Sequence, residues 1–464
     1  MKFALLVANR GFFPSTVIQS SREEMKAAFA KAGVECLDME VERTKYGAVE
    51  TMQEGRIYAQ FLKEHEGEYD GLVICLPNFG DENGIKEAIR DVRVPILLQA
   101  YPDEIGKMDF ASRRDAFCGK MALCSVFKQM GVLYTTFTPF TIHPTDPRFH
   151  QQLLDFAGIC RIVRTMKHAR IGALGARTTA FKSVRYDEIA LERRGIDVES
   201  YDMSALFAAV RKMNGTEAEV KLWQERLLET SDFRDVPKEQ FDRIGCLAAA
   251  MDNLVKENSL DALAIRCWSE LQAEFAITPC AVMGLFNQAL IPVACETDVS
   301  NVVPMLGLTL AGNRPTGCMD LNNNYGDEED KCIVFHCGPL PMDLMVKPGV
   351  IEEHKMFVKT SGPNCSWGVN IAQLKPGQIT YAGGRTENGE MQFYVDEGRI
   401  TDDPIEAAFF GTGGVLQAAN LQQKMHNIAM AGFRHHALIT PGNVANVLRE
   451  AFVKYLGYRE IPML

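Results

Sequence analysis

No stretch of this 464-residue chain approaches the roughly 18 consecutive apolar residues that a membrane-spanning helix needs. The opening apolar run, residues 3–8, stops at Asn9 and Arg10; it reads as a first buried strand and not as a signal peptide. Basic residues are in deficit: 49 Lys and Arg stand against 60 Asp and Glu, for a formal charge of −11. Such a chain is a poor match to a nucleic-acid backbone and gains nothing from an anionic membrane. No Cys-x-x-Cys occurs among the thirteen cysteines, their number is odd, and several lie in apolar runs, as Cys75 does in residues 72–76. Free, buried thiols in a reducing, cytoplasmic compartment are therefore expected. The dinucleotide fingerprint is missing too. Gly172-Ala173-Leu174-Gly175 follows a strand, but Gly-x-Gly-x-x-Gly opening a helix is not there. Low-complexity tracts are absent.

What the chain does have is alternation. Strands at 3–8, 34–39, 71–76 and 94–98 alternate with helices at 17–32, 51–65, 81–90 and 118–130. This rhythm predicts a mostly parallel sheet with helices on both faces. It restarts with a strand at 169–175 and continues through strands at 197–201 and 262–267. Helices are predicted at 183–194, 203–214, 217–230, 238–258 and 279–290. Residues 144–148, Pro-Thr-Asp-Pro-Arg, read as a surface connection between the halves. After about residue 330 short strands take over, at 331–335, 356–359, 367–371, 378–382 and 391–396. A helix at 444–456 closes the chain, with Gly457 as its stop. The fold class is α/β: two doubly wound parallel-sheet domains, 1–160 and 161–330, then a β-rich, barrel-like C-terminal domain, 331–464.

Two acids twenty-four positions apart carry the chemistry. Glu296 ends the apolar run 291–295, and Asp320 follows Cys318-Met319. His336 ends the run 331–335, and His435-His436 lie near the C-terminus. Glu296, Asp320 and His336 all read as polar groups delivered at strand ends, where α/β folds place ligand sites. Two carboxylates with imidazoles suit Mn²⁺, Mg²⁺, Co²⁺ or Zn²⁺. Such an ion can polarise neighbouring oxygens of a sugar. Trp268 and Glu270 end another buried strand; the indole face suits the C–H surface of a sugar ring, or fills core. Asn322-Asn323-Asn324 offers amides to sugar hydroxyls, or makes a polar turn. Gly411-Thr412-Gly413-Gly414 reads as a tight turn ahead of a helix in preference to a phosphate cradle. Asp81, after Phe79-Gly80, is an N-cap or part of a substrate loop. His426, alone on a helix, reads as a structural hydrogen-bonder.

Taken together these residues resemble the L-fucose isomerase and L-arabinose isomerase superfamily of aldose–ketose isomerases, over nearly the whole chain. In that family a glutamate in a Glu-x-Asp context is followed by an acid about two dozen positions on. Glu296-Thr297-Asp298 and Asp320 match, the aspartate looking like the fucose branch. The arabinose branch adds a histidine shortly after the second acid, where His336 stands. Both branches end the site with a His-His pair, matched by His435-His436. The resemblance implies a divalent metal, Mn²⁺ first, held by Glu296, Asp320, His336 and one of the His435-His436 pair, His436 ahead of His435. It also implies proton transfer by Glu296 and Asp320 through a cis-enediolate, with neither carboxylate singled out as the first base. Family members are ring-like, so a homo-trimer, tetramer or hexamer is expected, in which Arg10 or the 79–83 loop reaches a neighbour's site. Substrate contacts are then expected from Trp268, Glu270, His435, Arg10 and Asn322.

The Trp268 region and residues 298–301 and 322–325 do not match either named enzyme closely, so the expected substrate is a monosaccharide, either fucose- or arabinose-like or an unusual one that is deoxy, branched or acid-bearing. A metal-dependent epimerase or lyase on the same fold is the competing reading. A non-catalytic sugar-binding protein would share the two α/β lobes but would not need Glu296, Asp320 and His336 together.

Overall fold

The computed structural model describes residues 1–406 and 408–464. The chain divides into two compact units, Met1–Arg164 and Thr165–Leu464.

In the first unit β1 (Lys2–Val7), β2 (Glu35–Asp38), β3 (Gly71–Leu76) and β4 (Ile96–Ala100) form a parallel sheet in the order β2-β1-β3-β4. Successive side chains of β1 and β3 enter two separate cores, Leu6 and Ile74 on one face and Leu5 and Val73 on the other. Burial on both faces explains why these strands read as unbroken apolar runs. The helix Met52–Glu64 starts at a capping box, Thr51 accepting from the Glu54 backbone and Glu54 reaching back. The segment 144–148 is not merely a surface connection, because the helix Pro147–Met166 opens within it. Proline is tolerated in a first helical turn, where its missing N–H is no loss. This helix buries Phe149, Leu153, Phe156 and Cys160 against Phe3 and Val73.

The second unit begins with β5 (Ala169–Leu174), β6 (Ile196–Tyr201), β7 (Ser231–Asp232), β8 (Ala262–Ile265) and β9 (Val293–Ala294). It continues with β10 (Gly317–Tyr325), β11 (Glu328–His336), β12 (Gly349–Glu353), β13 (Trp367–Gln373), β14 (Gly377–Glu387), β15 (Glu390–Ile400), β16 (Thr412–Gln417), β17 (His436–Pro441) and β18 (Arg459–Glu460). A second parallel sheet runs β6-β5-β8-β9. The remaining strands form one large, mostly antiparallel sheet. Pairing of β15 with both β14 and β16 closes β15, β14, β17, β10, β11 and β16 into a barrel, antiparallel at every step. Closure removes the exposed edges that an open sheet would leave. Met319, Val334, Tyr381, Leu416 and Ile439 pack within its core.

Several elements differ from expectation. Residues 356–359 lie in a helix, Lys355–Ser361, and not in a strand; Phe357 packs there on Trp268 and His354, at ring separations of 4.9 and 5.2 Å. The glycines near 411–414 are neither a turn nor a phosphate cradle: Thr412–Gln417 is strand β16, with no helix at Val415. A Cβ at Gly411 would stand 2.1 Å from the His336 carbonyl, so glycine lets the chain pass beside the end of β11. Asp320 sits inside β10 and not at a strand end. The closing helix, Ala445–Arg449, continues as a π-helical turn to Tyr455. Among the described residues no helix is long and apolar enough to cross a membrane.

Candidate active site

The second parallel sheet and the barrel each deliver part of one cluster. The chain leaves β9 through Cys295 and turns sharply at Glu296 and Thr297, both in the left-handed region at φ 61° and 57°. Non-glycine residues adopt this region at a cost. Here the Thr297 N–H donates to the Ile265 carbonyl and the Asp298 N–H to the Cys295 carbonyl, which hold the turn. Asp298 then caps the helix Val299–Gly312. The result is a half-buried Glu296 carboxylate facing the barrel. Across from it, Asp320 on β10 pairs in register with His436 on β17 on one side and with Phe335 on β11 on the other. His436 Nε2 lies 3.5 Å from a Glu296 oxygen and 3.7 Å from Asp320 Oδ1. His435 Nε2 and His336 Nε2 approach the same Asp320 oxygen at 3.6 and 3.8 Å.

His436 is aimed from behind. Its Nδ1 donates to Asp298 Oδ2 at 2.9 Å, and Asp298 is held in turn by Arg434 at 2.6 Å and by the Asn301 amide at 2.8 Å. All four side chains are buried. A carboxylate on Nδ1 fixes the ring's orientation and presents Nε2 to the two acids. Sequence reading missed Asp298, Asn301 and Arg434 as functional residues; the aspartate of Glu-x-Asp was the available signal. His336 is oriented differently. Its Nδ1 accepts from the Cys337 N–H at 2.8 Å, which puts the neutral ring's proton on Nε2, 3.1 Å from Cys295 Sγ. It is therefore the least ready metal donor of the group.

The electrostatics follow the geometry. Burial pushes Glu296 up to about 7, with Asp320 and Asp298 adding and His436 opposing. Burial works to lower His436, but its hydrogen bond and ion pair with Asp298 outweigh it and hold it up at about 9. Burial takes His336 down to about 4. Asp298 stays below its ordinary value despite burial, because Arg434 and His436 face it.

A hard-to-borderline divalent ion fits this set. Asp320 Oδ1 and His436 Nε2 are buried atoms without a hydrogen-bond partner. The donor atoms of Asp320, His435 and His436 lie within 4.8 Å of one another. A cation between them would satisfy lone pairs that otherwise carry a desolvation cost.

Residues 4–167 match the N-terminal domain model of fucose/sulfoquinovose isomerase, and residues 334–463 match the C-terminal domain model of L-fucose isomerase. The chain belongs to the L-fucose isomerase family. It is a sugar isomerase, an intramolecular oxidoreductase that interconverts an aldose and a ketose. Among its curated relatives, the sulfoquinovose isomerase of Alkalicoccus urumqiensis is 24% identical over 407 residues, 84% of this chain and 85% of that protein. The sulfoquinovose isomerase of Priestia aryabhattai is 24% identical over 320 residues, 66% and 68% of the two chains. That of a Clostridium species is 28% identical over 221 residues, 46% and 47%.

The other residues singled out in this isomerase fall in varied places. Trp268 is half-buried and lines a narrow crevice with Cys267, Cys295, His336, Cys337 and His354. Glu270 is committed to Arg266 at 2.6 Å. Asn322 is exposed and is the extra residue of a β-bulge, since Leu321 pairs with Val334 and Asn323 with Ile333. Arg10, in the first unit, pairs with Glu82 at 2.6 Å and lies over the Phe79 ring. Asp81 caps the helix Glu82–Ala88 through the Asn83 and Gly84 N–H groups.

Proposed function

We propose that this chain isomerises an anionic aldose of the sulfoquinovose type to its ketose, through a cis-enediolate and with a divalent ion. Glu296, Asp320 and His436 would hold the ion. The observation that carries the reading is the convergence of two carboxylates on the one imidazole nitrogen that Asp298 leaves free. The acidic group of the substrate is supported by the names of the relatives. The bound ion supplies polarisation of the carbonyl and the adjacent hydroxyl. The protein's own groups do the rest. The Glu296 and Asp320 carboxylates flank the reacting carbons; one takes the proton from the carbon beside the carbonyl and returns it to its neighbour. Asp298 and Arg434 keep His436 oriented throughout. His435, half-exposed beside Asp320, is placed to meet a substrate hydroxyl. The reading includes a ring-like homo-oligomer, which light scattering of the active protein tests.

The experiment incubates chelator-stripped protein with sulfoquinovose, glucose, L-fucose and L-arabinose, with and without Mn²⁺, in D₂O. Ketose should form from the anionic sugar fastest, only with the ion, and carry solvent deuterium at the carbon that gains hydrogen. Full activity in protein shown by elemental analysis to be metal-free would overturn the reading.

A further inference from the structure

Directly behind the carboxylates lies a second donor set of the opposite chemical character. Cys295 immediately precedes Glu296, and Cys318 stands two residues before Asp320, on the same face of β10. Both thiols are fully buried. Cys295 Sγ, Cys318 Sγ and a ring nitrogen of His436 all lie within 4.8 Å of one another, and Nε2 is the nitrogen that Asp298 leaves free. A tetrahedral thiophilic ion, with bonds of about 2.3 Å to sulfur and 2.0 Å to nitrogen, holds such donors roughly 3.5–4 Å apart. The cluster needs only a small contraction to reach that spacing. His436 Nε2 is buried and without a hydrogen-bond partner. His336 Nε2–H, 3.1 Å from Cys295 Sγ, faces the sulfur as a donor that would support a thiolate.

We propose that Cys295, Cys318 and His436 form a second ion site selective for thiophilic cations such as Cd²⁺ or Zn²⁺, and that filling it inhibits the isomerase by taking the nitrogen the carboxylate-bound ion needs. Thiolate donors select soft ions, whereas carboxylates with one imidazole accept Mg²⁺ and Mn²⁺. One nitrogen cannot serve two ions, so the two occupancies are mutually exclusive. Each thiol releases its proton to solvent as the ion binds, and His436 Nε2 gives up the proton it carries when the ring is charged. The inhibitory half rests on the reading of His436 as a ligand of the catalytic ion; the binding half does not.

The test titrates Cd²⁺ into chelator-stripped full-length protein and follows the ultraviolet thiolate-to-cadmium charge-transfer band, with Mg²⁺ as the counter-probe. A saturable band should appear with Cd²⁺ and not with Mg²⁺, and it should be lost in Cys318→Ala and in Cys295→Ala. Cadmium NMR of the unaltered chain needs no variant and should give a resonance in the sulfur-ligated range. Cys318→Ala should keep ion-dependent turnover and resist Cd²⁺. A resonance in the oxygen-ligated range, or a band unchanged in both variants, overturns the site. Sulfur ligation without loss of turnover overturns the inhibition. If sulfur ligation and loss of the band hold while turnover never depends on Mn²⁺, the catalytic-metal reading fails and the thiol site stands.

Discussion

The two parallel sheets share one plan, the first strand lying between the second and third in β2-β1-β3-β4 as in β6-β5-β8-β9. Their strand ends are put to different use. In the first unit several polar groups there pair with one another: Asn78 donates to Asn9 at 2.7 Å, Asn9 to Glu50 at 2.7 Å, and Arg10 to Glu82 at 2.6 Å. In the second unit Glu296 faces a histidine and an aspartate whose nearest atoms have no hydrogen-bond partner. Buried polar atoms left unpaired are costly, so a fold retains them where a ligand completes them. The difference teaches that sheet order alone does not make a site; the barrel strands β10 and β17, placed against the end of β9, do.

The largest effect expected from breaking this comparison is on turnover. Glu296→Gln and Asp320→Asn keep size and remove the proposed proton carrier, and each should cut kcat by at least the roughly 10²–10⁴-fold that acid–base catalysis supplies. Glu50→Gln, at the first sheet's closed network, should leave kcat within a few-fold. Steady-state kinetics at saturating ion decide it, and near-normal turnover in either site variant would remove that carboxylate from the chemistry.

Next in size is the support behind His436. Arg434 and Asp298 are both buried and share a 2.6 Å contact, with Ser300 and the Gly384 carbonyl also on Arg434. Arg434→Met leaves the Asp298 charge buried without its partner, and should cost about 3–5 kcal/mol in urea unfolding. Asp298→Asn should weaken ion binding by about 10–100-fold, because Nδ1 loses its acceptor carboxylate. In the first unit Arg22 is as deeply buried against Asp38 and the Gly47 carbonyl. Arg22→Met should destabilise in the same range while leaving ion affinity untouched; a matching loss of ion affinity would blur the distinction between the units.

A smaller effect concerns pH. Lys120, buried in the first unit, donates to the Phe140 carbonyl at 2.6 Å, and burial lowers its pKa to about 8 from an ordinary 10.5. Below pH 8 folded and unfolded chains both carry the charge, and the folded one bears the full cost of burying it. Between about 8 and 10.5 the unfolded chain holds more protons, so stability from this group rises with pH. The stability gap between Lys120→Met and the unaltered chain should therefore shift in favour of the unaltered chain across that window. A flat difference in unfolding midpoints would show that Lys120 keeps its charge without penalty.

How much of this was legible in the sequence depended on the range of the interaction. The strand Gly71–Leu76 and the helix Lys238–Asn258 were read to the residue, because burial on both faces and helical periodicity are local signals. Acids and histidines that the structure brings within 4 Å stood out through residue type and spacing. The pairing of Arg434 with Asp298, 136 positions apart, left no local trace. Asp320 looked like a strand end because the polar run Asn322 to Asn324 follows it, yet β10 continues along the barrel to Tyr325. Residues 356–359 looked like a strand because Phe357-Val358 is β-prone, and the contacts of Phe357 with Trp268 and His354 decided otherwise.

The smallest expected effect sharpens the comparison at the backbone. After β3 and after β5 the chain turns through left-handed glycines, Gly80 at φ 73° and Gly175 at φ 83°, where no Cβ is present to object. After β9 the same region is filled by Glu296 and Thr297. On the proposed mechanism Glu296 is needed there for its carboxylate; Thr297, whose buried hydroxyl has no hydrogen-bond partner, is not. Thr297→Gly relieves about 1–2 kcal/mol of left-handed strain. It also loses a small buried side chain and loosens the unfolded chain by about 0.5–1 kcal/mol. The terms nearly cancel, so the urea midpoint should move by less than the equivalent of about 1 kcal/mol and kcat should hold. Glu296→Gly relieves the same strain and should be just as stable but inactive. If Thr297→Gly instead lowers kcat as far as Glu296→Gly does, the Thr297 side chain is fixing the carboxylate, and the turn is built around both residues.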